Sequence, residues 1–527
     1  MEQLILFLRR WFDSDLGARR FLLARWIFLR ALAVIYFSAF YSLFFQIKGL
    51  IGPQGILPAV HYLSAAAHYY GAGRYWHVPS LCWLSAGTPM LMAITWAGLL
   101  ASVLAFFNLW PRLSLFVCFA CFLSFVSVAA DFSGYQSDGM LLEAGFIALF
   151  FAPPGLWPGW GERHPPSWAS LFLLQWEWFR IYFESGLVKL LSGDVQWRNF
   201  TAMDEYYQNS PLPSWVGWYV EHLPHGFHAT TVLFTLVLEL ALVWMLFMPR
   251  RFRLICFWIV TPWEIGVILT GNYAFLNYIV LALGFLLLED GYLRRCFAWL
   301  LRRWPMREEA MEQAVRPRLS AMLHACGVGL AALMLSWVGY ATVGKLSQMI
   351  FSGSLLPGAP TRALEPFRIA NQYGLFAVMT RGRYEIEFQG SDDGMNWQPY
   401  GFRYKPQLLN EAPGIYAPYQ PRFDWNLWFA SLGDWQQNDI VPLTEEKLLG
   451  NDGDVLALFR SNPFAASPPR YMRVVLWRYW FTSMSEKRST GNWWRREWLG
   501  LYAPTIEQAA DGRFNVVQAA DELPPHD

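Results

Sequence analysis

The stretch WEWFRIYFESGLVKLLSG, Trp176 to Gly193, is apolar and aromatic enough to lie in a bilayer, yet it carries Glu177, Arg180, Glu184 and Lys189. Ionisable side chains in such a setting are costly and usually serve pairing or chemistry. On a helix Glu177, Arg180 and Glu184 share one face, so Arg180 can pair with both carboxylates. Glu239 and Glu264, on later apolar stretches, are placed to join this network from facing helices. Lys189 lies about 140° around the helix from Glu184. It either snorkels its ammonium to the membrane interface or pairs with a carboxylate, or it is a desolvated amine able to act as a base. The base reading takes His222, His225 and His228 on the following loop as proton carriers, with Arg180 and Glu184 orienting nearby groups.

Other patterns carry less. Cys118 and Cys121 form C-x-x-C, but within LFVCFACFLSF, where a desolvated thiol packs rather than reacts. GYQSDG, Gly134 to Gly139, lacks the spacing of a nucleophile elbow. Asp392 and Asp393 in GSDDG do not follow the spacing of a calcium loop and read as a hairpin turn.

The elements that must position these residues follow from composition. The 527 residues are 55% hydrophobic and 15% charged, against about 25% charged in a soluble domain. With 29 Trp and 41 Phe, this is the composition of a polytopic membrane protein with aromatic anchors at its interfaces. A net charge of +1 argues against a nucleic-acid partner, which would want a basic surface. About nine apolar stretches are long enough to span, centred near Ile35, Leu99, Phe119, Ile147, Phe179, Leu238, Val260, Leu281 and Leu330. The arginines before the first stretch lack a small-residue cleavage site after it, so that stretch reads as an uncleaved span. Arginine also clusters in PRRFR and in LRRCFAWLLRRWPMREEAMEQAVRPR, Leu293 to Arg318. A cytoplasmic N-terminus puts all these clusters on the cytoplasmic side. An odd number of spans then places the loops 52–71 and 195–228, and everything after Val343, on the trans side.

Composition shifts after Leu346, dividing the chain into a multi-span membrane domain, 1–345, and a C-terminal domain, 346–527. In RYEIEFQGSDDGMNWQPYGFRYKPQ, Tyr384, Ile386 and Phe388 alternate with Arg383, Glu385 and Glu387, as in a strand. The turn GSDDG leads to a second strand near Trp397 to Tyr404, and YMRVVLWRYWF reads as another. WNLWFASL and TEEKLLGNDGDVLALF read as short helices. The fold expected is a polytopic α-helical membrane domain followed by a trans-side α+β or β-sandwich-like domain, without disulfides, since no cysteine lies beyond Cys326.

Several segments then resemble a known family. WRNFTAMDEYYQNSPLPSWVGWYVEHLPHGFH and PRRFRLICFWIVTPWEIGVILTGNYAFLNYIVLALGFLLLED, with Gly271-Asn272, are similar to lipase maturation factors. So are NQYGLFAVMTRGRYEIEFQGSDDGMNWQPYGFRYKP, APYQPRFDWNLWFA, PPRYMRVVLWRYWFT and WWRREWLGLY. The resemblance implies a membrane-bound, chaperone-like factor whose trans-side domain engages secreted clients, lipases among them. Family members of the endoplasmic reticulum have cysteines in that domain. LLNEAPGIYAPYQPRFDW has none, which points to a bacterial inner-membrane member. More distantly, RIYFESGLVKLLSGDVQW is similar to a helix of the vitamin K-dependent γ-carboxylase superfamily, where a lysine after YF-x-x-G is the base; Tyr182, Phe183, Gly186, Lys189 and Trp197 occupy that pattern.

Two functions follow. The first is a non-enzymatic maturation factor, with aromatic clusters at Trp425, Trp428 and Phe429 and at Trp493, Trp494 and Trp498 as contact surface or core. The alternative is a membrane enzyme using Lys189 as base on a lipid-soluble or secreted substrate. Lys189 is the candidate catalytic residue. Arg180, Glu184, His225, His228, Asn272, Arg422, Asp424, Trp425 and Trp428 are candidate binding residues. Membrane lipid and a secreted client are the expected partners, and neither metal nor cofactor is expected.

Overall fold

The structure is a computed structural model that describes residues 2–303, 317–351, 353, 355–509 and 512–523. A helix crosses each of the nine expected centres. They are α1 (Leu22–Ile51), α2 (Thr88–Phe106), α3 (Pro111–Val126), α4 (Gln136–Phe151), α5 (Trp168–Leu191), α6 (His225–Leu240), α7 (Arg250–Thr270), α8 (Leu276–Gly284) and α9 (Arg318–Phe351). Among the described residues, five helices are long and apolar enough to cross a membrane: Arg19–Ile51, Thr88–Phe106, His225–Phe247, Arg250–Thr270 and Arg318–Phe351. A sixth results if Leu276–Leu287 and Asp290–Cys296, bent at 108°, count as one span. Of the remaining helices, α3 is apolar but has only 16 residues. The charges of α5 set it apart from an ordinary lipid-facing helix. Part of the expected basic segment, 304–316, lies outside the described residues.

The position of α5 accounts for its charges. It packs against α4, α6, α8 and α9, so it runs through the middle of the bundle rather than along its surface. Ser167 starts it, accepting a 3.3 Å hydrogen bond from the Ser170 amide. That side-chain acceptor satisfies one of the helix's otherwise unpaired N–H groups. Gly186 permits the close approach of α6: a Cβ there would stand 2.8 Å from Cβ of Glu239. The boundary expected at 345/346 falls inside α9, which runs on to Phe351.

Among the described residues the C-terminal part contains one antiparallel sheet, not a sandwich. Its strands are β1 (Arg383–Ser391), β2 (Gln398–Pro399), β3 (Tyr471–Phe481), β4 (Trp494–Gln508) and β5 (Phe514–Gln518), in the order β2-β1-β3-β4-β5. Helices in contact with each other pack on the sheet in place of a second sheet. α10 (Arg422–Ala430) packs on β1 and reaches α1 of the bundle, while α11 (Ile440–Leu449) packs on β3 and β4.

β1 is buried along its whole length. Its alternation therefore separates an apolar face from a buried ionic one. Arg383 pairs with Glu385, Lys405 reaches Glu385 at 2.6 Å, and Gln407 donates to Glu387 at 3.1 Å. Burial lowers the Arg383 pKa, against the opposing pull of Glu385. The GSDDG turn closes on Asp393, which accepts from the amides of Met395 and Asn396 at 2.8 and 2.7 Å. The following strand is shorter than expected. The Tyr400 amide still donates to the Phe388 carbonyl at 3.0 Å, after which Gly401 turns away and bridges to Ser461.

Candidate functional site

The charged residues of α5 separate into two groups, with different partners from those spacing suggests. Arg180 is fully buried and pairs most closely with Glu143 of α4, not with Glu177. Its other partners are the carbonyl of Asn371 at 2.7 Å and Glu184 at 4.0 Å. The segment between α9 and β1 inserts here. The Tyr373 amide donates to Glu184 at 2.6 Å, its hydroxyl donates to Glu143 at 2.9 Å, and the Asn371 amide donates to Glu143 at 2.8 Å. The cluster therefore ties three stretches of chain together. It satisfies buried carboxylates with backbone donors as well as with the guanidinium.

Neither Glu239 nor Glu264 joins that network. Lys189, for which the sequence leaves snorkelling, carboxylate pairing and a desolvated amine open, is buried within the bundle. Its Nζ donates to both oxygens of Glu239 at 2.8 Å and lies 5.1 Å from the Trp197 ring. Glu264 accepts from the Tyr182 hydroxyl and from Asn277 Nδ2, each at 2.6 Å. These two polar groups line a cavity of about 570 Å³ walled by α5, α6, α7, α8 and residues 375–379. The amine thus faces a cavity while being held by a carboxylate.

None of the three candidate histidines lines this cavity. His222 is fixed between the carbonyls of Trp218 at 2.6 Å and Thr482 at 3.0 Å. His225 is exposed and pairs with Asp204 at 3.0 Å. His228 is buried, near the Tyr207 ring.

The remaining candidates join the two parts of the chain. Asn272 donates to the carbonyls of Leu212 and Gly414 at 3.1 and 2.9 Å and accepts from the amides of Tyr416 and Ala417 at 2.6 and 3.1 Å. Its amide is used as a clip. Arg422 leaves the first turn of α10 and enters the bundle, where it meets Asp138 of α4 at 2.7 and 2.8 Å. It also donates to the Phe132 carbonyl at 2.6 Å and lies 4.8 Å from the Phe125 ring. Planar bidentate pairing of this kind is the geometry a guanidinium favours.

Asp424 accepts from the amides of Tyr404 and Lys405, both at 3.2 Å, and burial pushes its carboxyl up to about 6 despite those bonds. Trp425 and Trp428 are buried, whereas Phe429 is exposed. All three line a second cavity of about 530 Å³ between bundle and sheet domain, with Tyr135, Tyr273 and Phe376 opposite. Phe376 and Met379 wall both cavities. In the second aromatic cluster Trp494 is buried and Trp498 exposed.

Sequence reading passed over Glu143, Asp138 and Tyr373. The two carboxylates are ionisable residues on an apolar stretch, QSDGMLLEAGFIALFF, which was a sufficient signal. Tyr373 carried none. Elsewhere, Asp13, Asp15 and His324 bring donor atoms within 4.8 Å of one another, with His324 bonded to Asp13 at 3.1 Å.

A helical bundle of apolar spans, stitched by a buried ion pair and hydrogen bonds to an α+β domain, defines a polytopic membrane protein with a docked C-terminal domain. Residues 23–295 match the lipase maturation factor transmembrane domain, and residues 369–504 match the lipase maturation factor C-terminal domain. The chain belongs to the lipase maturation factor family and is an integral membrane protein. It is 31% identical to lipase maturation factor 2 of Gallus gallus, over 95% of this chain and 84% of the relative. It is 30% identical to lipase maturation factor 1 of Bos taurus, over 94% of this chain and 91% of the relative. With lipase maturation factor 2 of Homo sapiens the identity is 29%, over 92% and 82% of the two chains. No solved structure matches the chain.

Proposed function

We propose that this protein is a membrane-bound maturation factor that assists the folding or assembly of secreted lipases. The observation that carries the reading is the continuity of the match: relatives named lipase maturation factors align over 91% to 95% of this chain, bundle and C-terminal domain together. In this reading α1 to α9 cross the membrane, α8 doing so together with the bent segment Asp290–Cys296. The N-terminus is cytoplasmic, and the C-terminal domain is periplasmic in a bacterial inner membrane. The basic segments and the cysteine-free 408–425 stretch support that placement. The second cavity, with Phe429 and Val378 exposed at its rim, supports client contact there.

The test is co-expression with a secreted lipase and measurement of active lipase outside the cytoplasm. Truncation after Thr380 keeps the residues that satisfy Glu143 and Glu184 and removes the sheet domain. Maturation should be lost while the bundle still inserts. Full maturation by the inserted truncated chain overturns the reading.

The alternative, a membrane enzyme with Lys189 as base, draws support from the cavity beside the amine. The bidentate grip of Glu239 supports a pairing role instead. Lys189→Arg and Lys189→Ala separate the two readings.

A further inference from the structure

The cavity beside Lys189 is asymmetric in polarity and in access. Its lining residues that reach the protein surface include Phe227 and Phe234 of α6 and Leu269 of α7. Both helices belong to segments apolar enough to cross a membrane. α6 packs on α5, and α7 packs on α8 and on the turn Leu242–Phe247 that continues α6, so the two helices are joined at that end and part toward the other, where Phe227, Phe234 and Leu269 face outward. The walls behind it are largely apolar, and a cavity of about 570 Å³ lies within the usual range for a small-molecule site.

The inner end is polar and has a definite sign. Among the described residues lining the cavity, Lys189 is the only Lys or Arg, and both oxygens of Glu239 take its amine at 2.8 Å. Among the described residues Glu264 has no cationic partner. Each of its oxygens accepts one bond at 2.6 Å, from Tyr182 and Asn277, and a carboxylate can accept about four. The cavity therefore offers acceptor capacity without spare positive charge. A phosphate or carboxylate head would meet Glu264 as a like charge, whereas a hydroxyl can donate to it.

We propose that this cavity binds a neutral membrane lipid with a free hydroxyl head, of the diacylglycerol class, its chains entering between α6 and α7 and its hydroxyl donating to Glu264. The site is separate from the client reading, and its test reads lipid contact, not lipase activity.

The experiment uses the full-length protein in phosphatidylcholine nanodiscs doped with a diazirine-bearing diacylglycerol, or with the matching phosphatidic acid, and maps cross-links by mass spectrometry. Cross-links of the diacylglycerol on cavity-lining residues of α5, α6 and α7 should exceed those of the phosphatidic acid by roughly tenfold. Gly266 lines the cavity, and a Cβ there would meet nothing within 4 Å. Gly266→Leu therefore fills space without a backbone clash. It should cut cavity labelling severalfold while leaving labelling on the outer face of α9 unchanged. Glu264→Gln removes the charge and should narrow the preference between the two lipids. Equal cavity labelling by both lipids in the unaltered protein overturns the proposal, as does cavity labelling that Gly266→Leu leaves unmoved.

Discussion

Replacing Arg422 by Met keeps most of the side chain's length and removes its charge. Asp138 then loses two hydrogen bonds, of 2.7 and 2.8 Å, and the Phe132 carbonyl loses one of 2.6 Å. Both partners are buried, at 0% and 1% side-chain exposure, so water cannot replace the guanidinium without opening the contact between α10 and the bundle. Leaving one member of a buried pair alone typically costs about 3–5 kcal/mol. Asp138→Asn removes the lone charge, so the double variant should be less destabilised than the two single variants added together, by about 1–3 kcal/mol. The assay is thermal unfolding of purified protein in mild detergent, paired with limited proteolysis of the 351–383 region, which should become faster in Arg422→Met. Secreted lipase activity should fall in parallel if docking is needed for maturation. Single-variant effects within about 0.5 kcal/mol, the range of ordinary surface changes, would refute the clamp. Strict additivity in the double variant would do the same.

Lys189→Arg should retain maturation and Lys189→Ala should lose it, because the charge opposite Glu239 is what the bundle requires; loss in both, with normal insertion, favours the base reading. Asp424 has a folded-state carboxyl pKa of about 6, above its ordinary value near 4, so the folded state holds the proton more tightly. Its contribution is therefore most favourable below pH about 4 and declines as pH rises through 6. Asp424→Asn, which can still accept both amides, should remove that decline and gain up to about 3 kcal/mol at pH 7, read as the difference between the two unfolding-versus-pH curves. Asn272→Ala leaves the Tyr416 and Ala417 amides without their acceptor and should cost about 1–3 kcal/mol, seen as a lowered unfolding midpoint.

Membrane class, the nine helix centres, β1, β3 and the short helices of the C-terminal part were legible in the sequence, because hydropathy and period are local properties. Local spacing also put Glu177, Arg180 and Glu184 on one face of α5. Spacing could not choose their partners. Arg180 turns to Glu143 because α4 packs beside it, and the arrival of residues 371–373 supplies backbone donors that no helical wheel contains. For the same reason Lys189 in isolation could snorkel, pair or stay desolvated, and only the approach of α6 at Gly186 supplies Glu239 as its partner. Alternation along β1 identified two faces and left open what each meets; only the packing of Lys405 and Gln407 shows that the polar face is buried too. The sequence by itself determined which segments are helices, which are strands, and which residues are ionisable where water is scarce. The tertiary structure decided how those charges pair, where the two cavities lie, and that Arg422 and Asn272 join the two parts of the chain. The physical reason is that burial and pairing depend on neighbours far away in the chain, and those neighbours exist only after the helices have packed.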